Sequence, residues 1–181
     1  IKGGSTYIKI KNIGVRRTAA CNDSDYNGSC FDAGVCSYVL FEDCWASGYT
    51  YYPIGCGAYG GASHHIIFRR CVVRADYSNK TVSNAGFMAY GNIDGVSCHD
   101  VLFQNCIAID FNAGLGDNFR SGFYNDKTFP GIYYRGCIAL NIPYSGFNST
   151  PYDTATREFN NCVAWGCTGA GIRGGQNGQR P

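Results

Sequence analysis

The sequence predicts an all-β solenoid of about six to seven stacked coils. Three observations carry this: a segment that recurs along the chain, strand-like alternation inside each copy, and a composition poor in helix formers. The segment reads VLFEDCWAS from Val39, IIFRRCVVR from Ile66, VLFQNCIAI from Val101, IYYRGCIAL from Ile132 and REFNNCVAW from Arg157. Helix formers are scarce: among 181 residues there are only two Glu, Glu42 and Glu158, against 25 Gly, 14 Tyr and 11 Phe. Glycine and asparagine favour turns, and aromatic and β-branched residues favour strands.

Cys44, Cys71, Cys106, Cys137 and Cys162 anchor the five copies. YIKIKNIGV, from Tyr7, is a sixth copy with Ile13 in the cysteine's place, and successive anchors are 31, 27, 35, 31 and 25 residues apart. Periods of 20 to 50 residues mark repeat architectures, and unequal ones are expected where the unit is fixed and its loops vary. Within a copy the residues five and three before the anchor are mostly apolar, as Val39 and Phe41 before Cys44. Alternation with period two makes this a strand with one face inward. The polar pair before the cysteine, such as Glu42-Asp43 or Gln104-Asn105, interrupts the alternation as a bend between two short strands would. The cysteine then points inward again as a small apolar residue.

A second element lies between anchors: AGFMAY from Ala85, SGFYN from Ser121, SGFNS from Ser145 and AGIRG from Ala170. Each coil therefore has about three short strands and no helix. Such a unit cannot bury its inner face alone, so it stacks on its neighbours. A sandwich or propeller would need matched strands joined by tight hairpins. Asn27-Gly28, Asp94-Gly95 and Asn177-Gly178 do not separate such pairs.

These repeated anchored segments and Gly-Phe strands, from Tyr7 to about Gly174, resemble the right-handed parallel β-helix family, the pectin-lyase-like superfamily. The motifs are specific for architecture and unspecific for activity. Residues 1–181 then form one β-helix domain, and a start in mid-pattern without methionine suggests a segment of a longer protein.

Eleven cysteines are unusual for a cytosolic protein and favour an extracellular or cell-surface setting. Sequons at Asn22, Asn27, Asn79 and Asn148 fit that setting, although Asn-rich loops produce such triplets by chance. No C-x-x-C pair is present, which disfavours zinc. The anchors are read as a column of buried thiols. Cys30 lies 14 residues before Cys44 and Cys56 lies 15 before Cys71, which makes Cys30 and Cys56 the disulfide candidates. Cys36 and Cys98, each eight before an anchor, would stand two coils apart.

The net charge of +2, with scattered basic residues, gives no reason to expect a nucleic-acid partner. No apolar run is long enough to span a membrane. Sites on a solenoid lie on loops and outer faces. From anchor to the next Gly-Phe strand the chain takes 15 residues after Cys71 and 16 after Cys106, but nine after Cys137 and Cys162. The two long loops should form one wall, carrying Asp76, Tyr77, Asn79 and Lys80, then Asp110, Asn112, Asp117, Asn118 and Arg120. Asp76, Tyr77, Asp110, Asp117, Asn118 and Arg120 are the ligand-binding candidates. Carboxylates from adjacent loops beside a cation suit calcium and a sugar chain; if the chain is a lyase, the ion would sit at Asp76, Asp110 and Asp117. The competing account is that Asp and Asn simply make turns.

Resemblance to pectate-lyase-like proteins implies calcium-held uronate and a basic residue that removes a proton, for which Lys80 or Arg120 would serve. A likeness to polygalacturonase motifs, Asn92-Ile93-Asp94 followed by Asp117-Asn118, lacks the second carboxylate of an acid and base pair. His64 and His99 both stand seven before their anchors and should be neighbours in a turn. Of Tyr133-Tyr134 and Tyr51-Tyr52, one of each pair should face out, and exposed tyrosines suit sugar stacking or lateral contact. The first expectation is a non-catalytic structural or glycan-binding segment of an extracellular, surface or viral fibre-like protein. It needs no cofactor, and its partners are glycans or copies of itself. The second is a polysaccharide lyase or glycoside hydrolase acting on acidic polysaccharide, with calcium.

Overall fold

The repeat closes into coils because each copy carries a strand, a corner and a second strand at fixed spacing. The computed structural model describes residues 4, 6–18, 29–48, 52–57, 61–74, 85–91, 98–111, 121–126, 131–150 and 157–174. Among these residues six coils follow one another, each with three strands. They are β1 (Thr6–Lys11), β2 (Gly14–Arg17) and β3 (Phe31–Gly34); β4 (Ser37–Glu42), β5 (Trp45–Gly48) and β6 (Ile54–Gly57); β7 (Ser63–Arg69), β8 (Val72–Arg74) and β9 (Ala85–Tyr90). Then come β10 (Cys98–Gln104), β11 (Ile107–Ile109) and β12 (Ser121–Asp126); β13 (Ile132–Arg135), β14 (Ile138–Leu140) and β15 (Ser145–Thr150); β16 (Arg157–Asn160), β17 (Val163–Trp165) and β18 (Ile172–Gly174).

Equivalent strands pair in parallel to give three sheets of six: β1-β4-β7-β10-β13-β16, β2-β5-β8-β11-β14-β17 and β3-β6-β9-β12-β15-β18. This is a parallel β-helix of six coils, and no helix occurs among the described residues. Register follows the anchors: Val39 pairs with Ile66, Val101 with Ile66 and Ile132, and Phe103 with Phe68 and Tyr134.

Left-handed backbone makes the corners. Asn12, Asp43, Arg70, Asn105, Gly136 and Asn161, each just before an anchor, have φ between 51° and 63°. Asn and Gly adopt this region at least cost, which accounts for the polar residue before the cysteine. The amides there keep the ladder going: Asn105 N donates to Arg135 O at 2.8 Å and Arg70 N to Gln104 O at 2.9 Å. A second corner uses Gly48, Asp110, Asn141 and Gly166, four residues past their anchors. A third, entering the first sheet, uses Tyr7, Tyr38, His65, Asp100 and Gly131.

Like residues stack inside. Phe41, Phe68, Phe103, Tyr134 and Phe159 form one ladder with ring centroids 4.8–5.2 Å apart and planes within 10°. Phe87, Phe123 and Phe147 form another, at 4.8 Å. The two ladders meet edge to face, as Phe103 meets Phe123 at 6.0 Å and 75°. Burying one such ring contributes about 2–3 kcal/mol, and aromatic pairing adds about 0.5–1.5 kcal/mol.

The anchor thiols form the expected column. Cys44, Cys71, Cys106 and Cys137 are buried, Cys162 is half-buried, and all five are free. Each donates to a carbonyl of the preceding coil: Cys71 to Phe41 O at 3.5 Å, Cys106 to Phe68 O and Cys137 to Phe103 O at 3.3 Å, Cys162 to Tyr134 O at 3.4 Å. A thiol therefore does at the corner what alanine could not: it fills the same space and gives a weak donor to a buried carbonyl. Burial holds the Cys106 thiol well above its ordinary pKa.

The glycine of each Gly-Phe strand is required by crowding. A Cβ on Gly122 would lie 2.8 Å from Gly146 O and 3.0 Å from the Ala139 Cβ. One on Gly146 would lie 2.6 Å from the Ala164 Cβ. The small column Ala108, Ala139 and Ala164 of the second sheet thus packs against the glycine column of the third.

The sequon at Asn148 lies in β15, where the side chain is 2% exposed and its buried Oδ1 makes no hydrogen bond. The folded chain does not offer this asparagine for glycosylation. The sequons at Asn22, Asn27 and Asn79 lie outside the described residues.

Phe103→Ala should lower unfolding free energy by about 3–5 kcal/mol in a denaturant titration, because it removes a ring packed between Phe68, Tyr134 and Phe123. Leu102→Ala, facing outward on the same strand, should cost about 1 kcal/mol or less. Gly122→Ala should destabilise by about 1–3 kcal/mol through overpacking. Equal costs at Phe103 and Leu102 would contradict the inward and outward assignment.

Candidate ligand groove

The outer face of the first sheet is built from the positions between the buried ones. Four residues before the anchors, Lys9, Leu40, Ile67, Leu102 and Tyr133 pair in register across β1, β4, β7, β10 and β13. They make a strip parallel to the solenoid axis, about 19 Å long at the ordinary strand spacing. Its middle is purely aliphatic.

One side of the strip is an aromatic wall at the third corner. Tyr7 and Tyr38 stack with centroids 4.9 Å apart and planes at 10°, and Tyr38 stacks on His65 at 4.6 Å and 24°. The stack forms because all three residues sit six before an anchor with φ near 57°, so successive coils present the side chain alike. Tyr7 is 79% exposed and Tyr38 43%. Asp100 and then Gly131 continue the column. A Cβ at Gly131, where φ is 92°, would lie 2.5 Å from Asp100 Oδ1.

The other side is a charged row: Lys11, Glu42, Arg69, Gln104 and Arg135. Glu42 is only 5% exposed and accepts three cations: Lys11, Arg69 Nη1 at 3.3 Å and Arg70 Nη2 at 3.0 Å. The hydrogen bond from Lys11 is the main cause holding its carboxyl below the usual range, with Arg69 and Arg70 adding to it. Arg70 also grips Asp43 through Nε and Nη2, at 2.6 and 2.8 Å. Arg69 Nε donates to Gln104 Oε1 at 2.9 Å. The guanidinium of Arg135 lies 5.6 Å from the centre of the Tyr133 ring.

Together these rows enclose an open groove of about 540 Å³, lined by Tyr7, Ile8, Lys9, Tyr38, Val39, Leu40, His65, Ile67, Asp100, Leu102, Tyr133 and Arg135. Its floor is apolar and its rim carries hydroxyls, an imidazole, a carboxylate and two cations. That combination holds a ligand with an apolar face and polar edges.

Histidines lie just outside the aromatic wall. His64 and His99 pair across β7 and β10 and stack at 5.1 Å and 11°, the neighbours the spacing predicted. His64 Nδ1 lies 2.7 Å from His65 Nδ1, and His99 Nδ1 lies 2.8 Å from Asp100 Oδ2. Burial, then the neighbouring His99 and His65, depress the His64 pKa below its ordinary value. Among the described residues no three His, Cys, Asp or Glu side chains converge to hold a metal ion.

Of the loop wall expected from sequence, only Asp110 is among the described residues. Asp76, Tyr77, Asn79, Lys80, Asn112, Asp117, Asn118 and Arg120 lie outside them, as do Asn92 and Asp94. Asp110 is exposed at the second corner with φ 51°, and its Oδ1 accepts the Asn141 side-chain amide at 2.7 Å. It is engaged as a corner residue. Tyr133 and Tyr134 divide as expected, Tyr134 inward and Tyr133 on the groove.

The alignment of Cys30 differs from expectation. Cys30 N donates to Pro53 O at 2.9 Å, and Ala33 rather than Cys30 is the register partner of Cys56. Distance from the anchors does not set this register because loops of unequal length intervene; it is fixed locally by Phe31 pairing with Ile54. The Cys56 thiol instead faces Cys98, with sulfurs 3.5 Å apart. Cys36 and Cys98 are two coils apart as expected, with Ser63 between them: Ser63 pairs with Cys98, and His64 N donates to Cys36 O.

The groove was not among the sites expected from sequence. Its signal was present: with anchors aligned, Tyr7, Tyr38 and His65 share one position and Leu40, Ile67 and Leu102 another. No family model, curated protein or solved structure matches the chain. Fold and groove define the class: a parallel β-helix with a ligand-sized furrow along one sheet. No helix among the described residues is long and apolar enough to cross a membrane.

The Glu42 cluster makes a testable pH dependence. A carboxyl held low by its cations stabilises the fold above its unfolded pKa, about 4.3. That contribution is lost as pH falls through the folded value. Melting temperature should therefore drop on acidification below about pH 4.3, and Glu42→Gln should lower it at pH 7 while flattening this part of the profile. An unchanged profile in the variant would mean that other carboxyls govern acid stability.

Proposed function

We propose that this chain is a non-catalytic binding segment of a pectin-lyase-like β-helix, which holds an elongated glycan along the first sheet. The observation that carries the reading is the groove itself: an aliphatic floor of Leu40, Ile67 and Leu102 between an aromatic wall and a charged row. A sugar ring has an apolar C–H face and a rim of hydroxyls. The floor and the exposed Tyr7 and Tyr133 rings suit the face; Lys9, Asp100, Arg135 and the tyrosine hydroxyls suit the rim. Coils at about 4.8 Å place a like side chain at regular steps, which suits a repeating polymer more than a compact metabolite.

The non-catalytic part rests on the carboxylates beside the groove. Asp100 is bonded to His99, and Glu42 is surrounded by Lys11, Arg69 and Arg70. Neither is placed as a free acid or base, and hydrolysis of a glycosidic bond needs two such groups. Placement outside the cell or on its surface belongs to the same reading and is supported by the cysteine content.

The test is isothermal titration against a panel of neutral and acidic oligosaccharides, each long enough to cover four coils. At least one should bind, and Tyr38→Ala and Leu102→Asp should each weaken it by about tenfold or more, the effect of losing a central apolar contact. Trp45→Ala, on the second sheet, should leave affinity unchanged. Absence of binding across the panel, accompanied by dimers or filaments that Leu102→Asp dissolves, would assign the groove to a second copy of the chain. Accumulating unsaturated uronate absorbance would overturn the non-catalytic reading.

A further inference from the structure

Where the third sheet passes into the first, a small group of thiols is buried outside the anchor column. Cys56 in β6 and Cys98 in β10 are both fully buried, and their sulfurs are 3.5 Å apart. Cys36, also buried, lies in the same corner two coils below Cys98. Ser63 occupies the coil between: its Oγ donates to Gly57 O and accepts Val35 N, both at 2.8 Å. The serine is thus satisfied by backbone, while the Cys56 and Cys98 sulfurs meet directly. Side chains in a straight column seldom offer the dihedral that a disulfide needs. This pair is not in one column: Cys56 belongs to the third sheet and Cys98 to the first, so the two approach at an angle.

We propose that Cys56 and Cys98 are a disulfide-forming pair, bridging the second coil to the fourth across the third. They are 42 residues apart, and the loop they close contains all of β7, β8 and β9. The bond joins the two sulfurs, releases two protons and passes two electrons to a thiol–disulfide oxidant such as glutathione disulfide, which leaves as two thiols. A thiolate of the pair first displaces one glutathione and the second thiol then displaces the other. The hydrogen bond with Cys98 and burial both keep the Cys56 thiol well above its ordinary pKa, so the finished fold is a poor reactant. Exchange belongs to the folding chain, before the fourth coil closes over the third.

The experiment refolds the reduced, unfolded chain in a mixture of oxidised and reduced glutathione, and in parallel under full reduction. Remaining thiols are alkylated after denaturation and the peptides mapped without reduction. The expected result is a linked peptide pair containing Cys56 and Cys98, two hydrogens lighter than the free peptides. The oxidised protein should melt about 10 °C higher than the reduced one, as expected for a loop of this length. Cys56→Ser and Cys98→Ser should each abolish both effects, whereas Cys36→Ser should retain them. The proposal is overturned if Cys56 and Cys98 stay alkylatable after oxidative refolding, or if Cys56 is found linked to Cys30 or Cys36. Mapping the wild-type chain decides the matter even where a variant folds poorly.

Discussion

Parallel strands stacked in register force every side chain to sit on its counterpart one coil away. From this constraint the rest of the molecule follows. An inward column must be filled by residues of one size, which gives the phenylalanine ladder, the thiol column, and the alanines facing glycines. Corners must fall at one position in every coil, so left-handed residues align before each anchor, including Arg70 at φ 51°. An arginine is a poor choice for that backbone, and its two hydrogen bonds to Asp43 and contact with Glu42 help to offset the strain. The same rule governs charge. Lys11, Glu42 and Arg69 follow one another along a row, because like charges so placed would repel.

The groove is the outward expression of the same arrangement. A strand that buries Val39 and Phe41 must expose Tyr38 and Leu40. Five coils built alike turn those single exposures into a continuous wall and floor. Its chemistry can change at one coil without disturbing the core beneath it, as Lys9 and Tyr133 show at the two ends of an aliphatic run.

Much of the fold was legible because burial imposes residue type. Phenylalanine three before the anchor, cysteine at it and glycine in the Gly-Phe strand are steric requirements, and their spacing gave strands, coils and inward faces. The bend was legible as a polar pair, although nothing in the letters of Arg69-Arg70 marks which residue turns left-handed. The groove is less legible, since Lys9 and Tyr133 share a place with Leu40, Ile67 and Leu102 without sharing their chemistry, whereas loop length points to Asp110 and its neighbours. Cysteine neighbours are hidden for a related reason: Cys30 and Cys56 lie 14 and 15 residues before their anchors, but the loops between count residues that take no part in the ladder, and Ala33 meets Cys56 instead.

The spacing of the anchors also sets how such a chain must fold. Every strand's partners come from the coil before or after, as Val39 meets Ile66 and Phe103 meets Tyr134. Among the described residues most stabilising contacts are distant in sequence, so a single coil holds little by itself, and the first two must close together against the full entropy of their loops. Once they have, the exposed edge is a ready template with its ring, thiol and corner already in position. Later coils are then added one at a time, each copying the register of the last. For this molecule, order spreads along an axis as it does in a growing fibre, within a single chain.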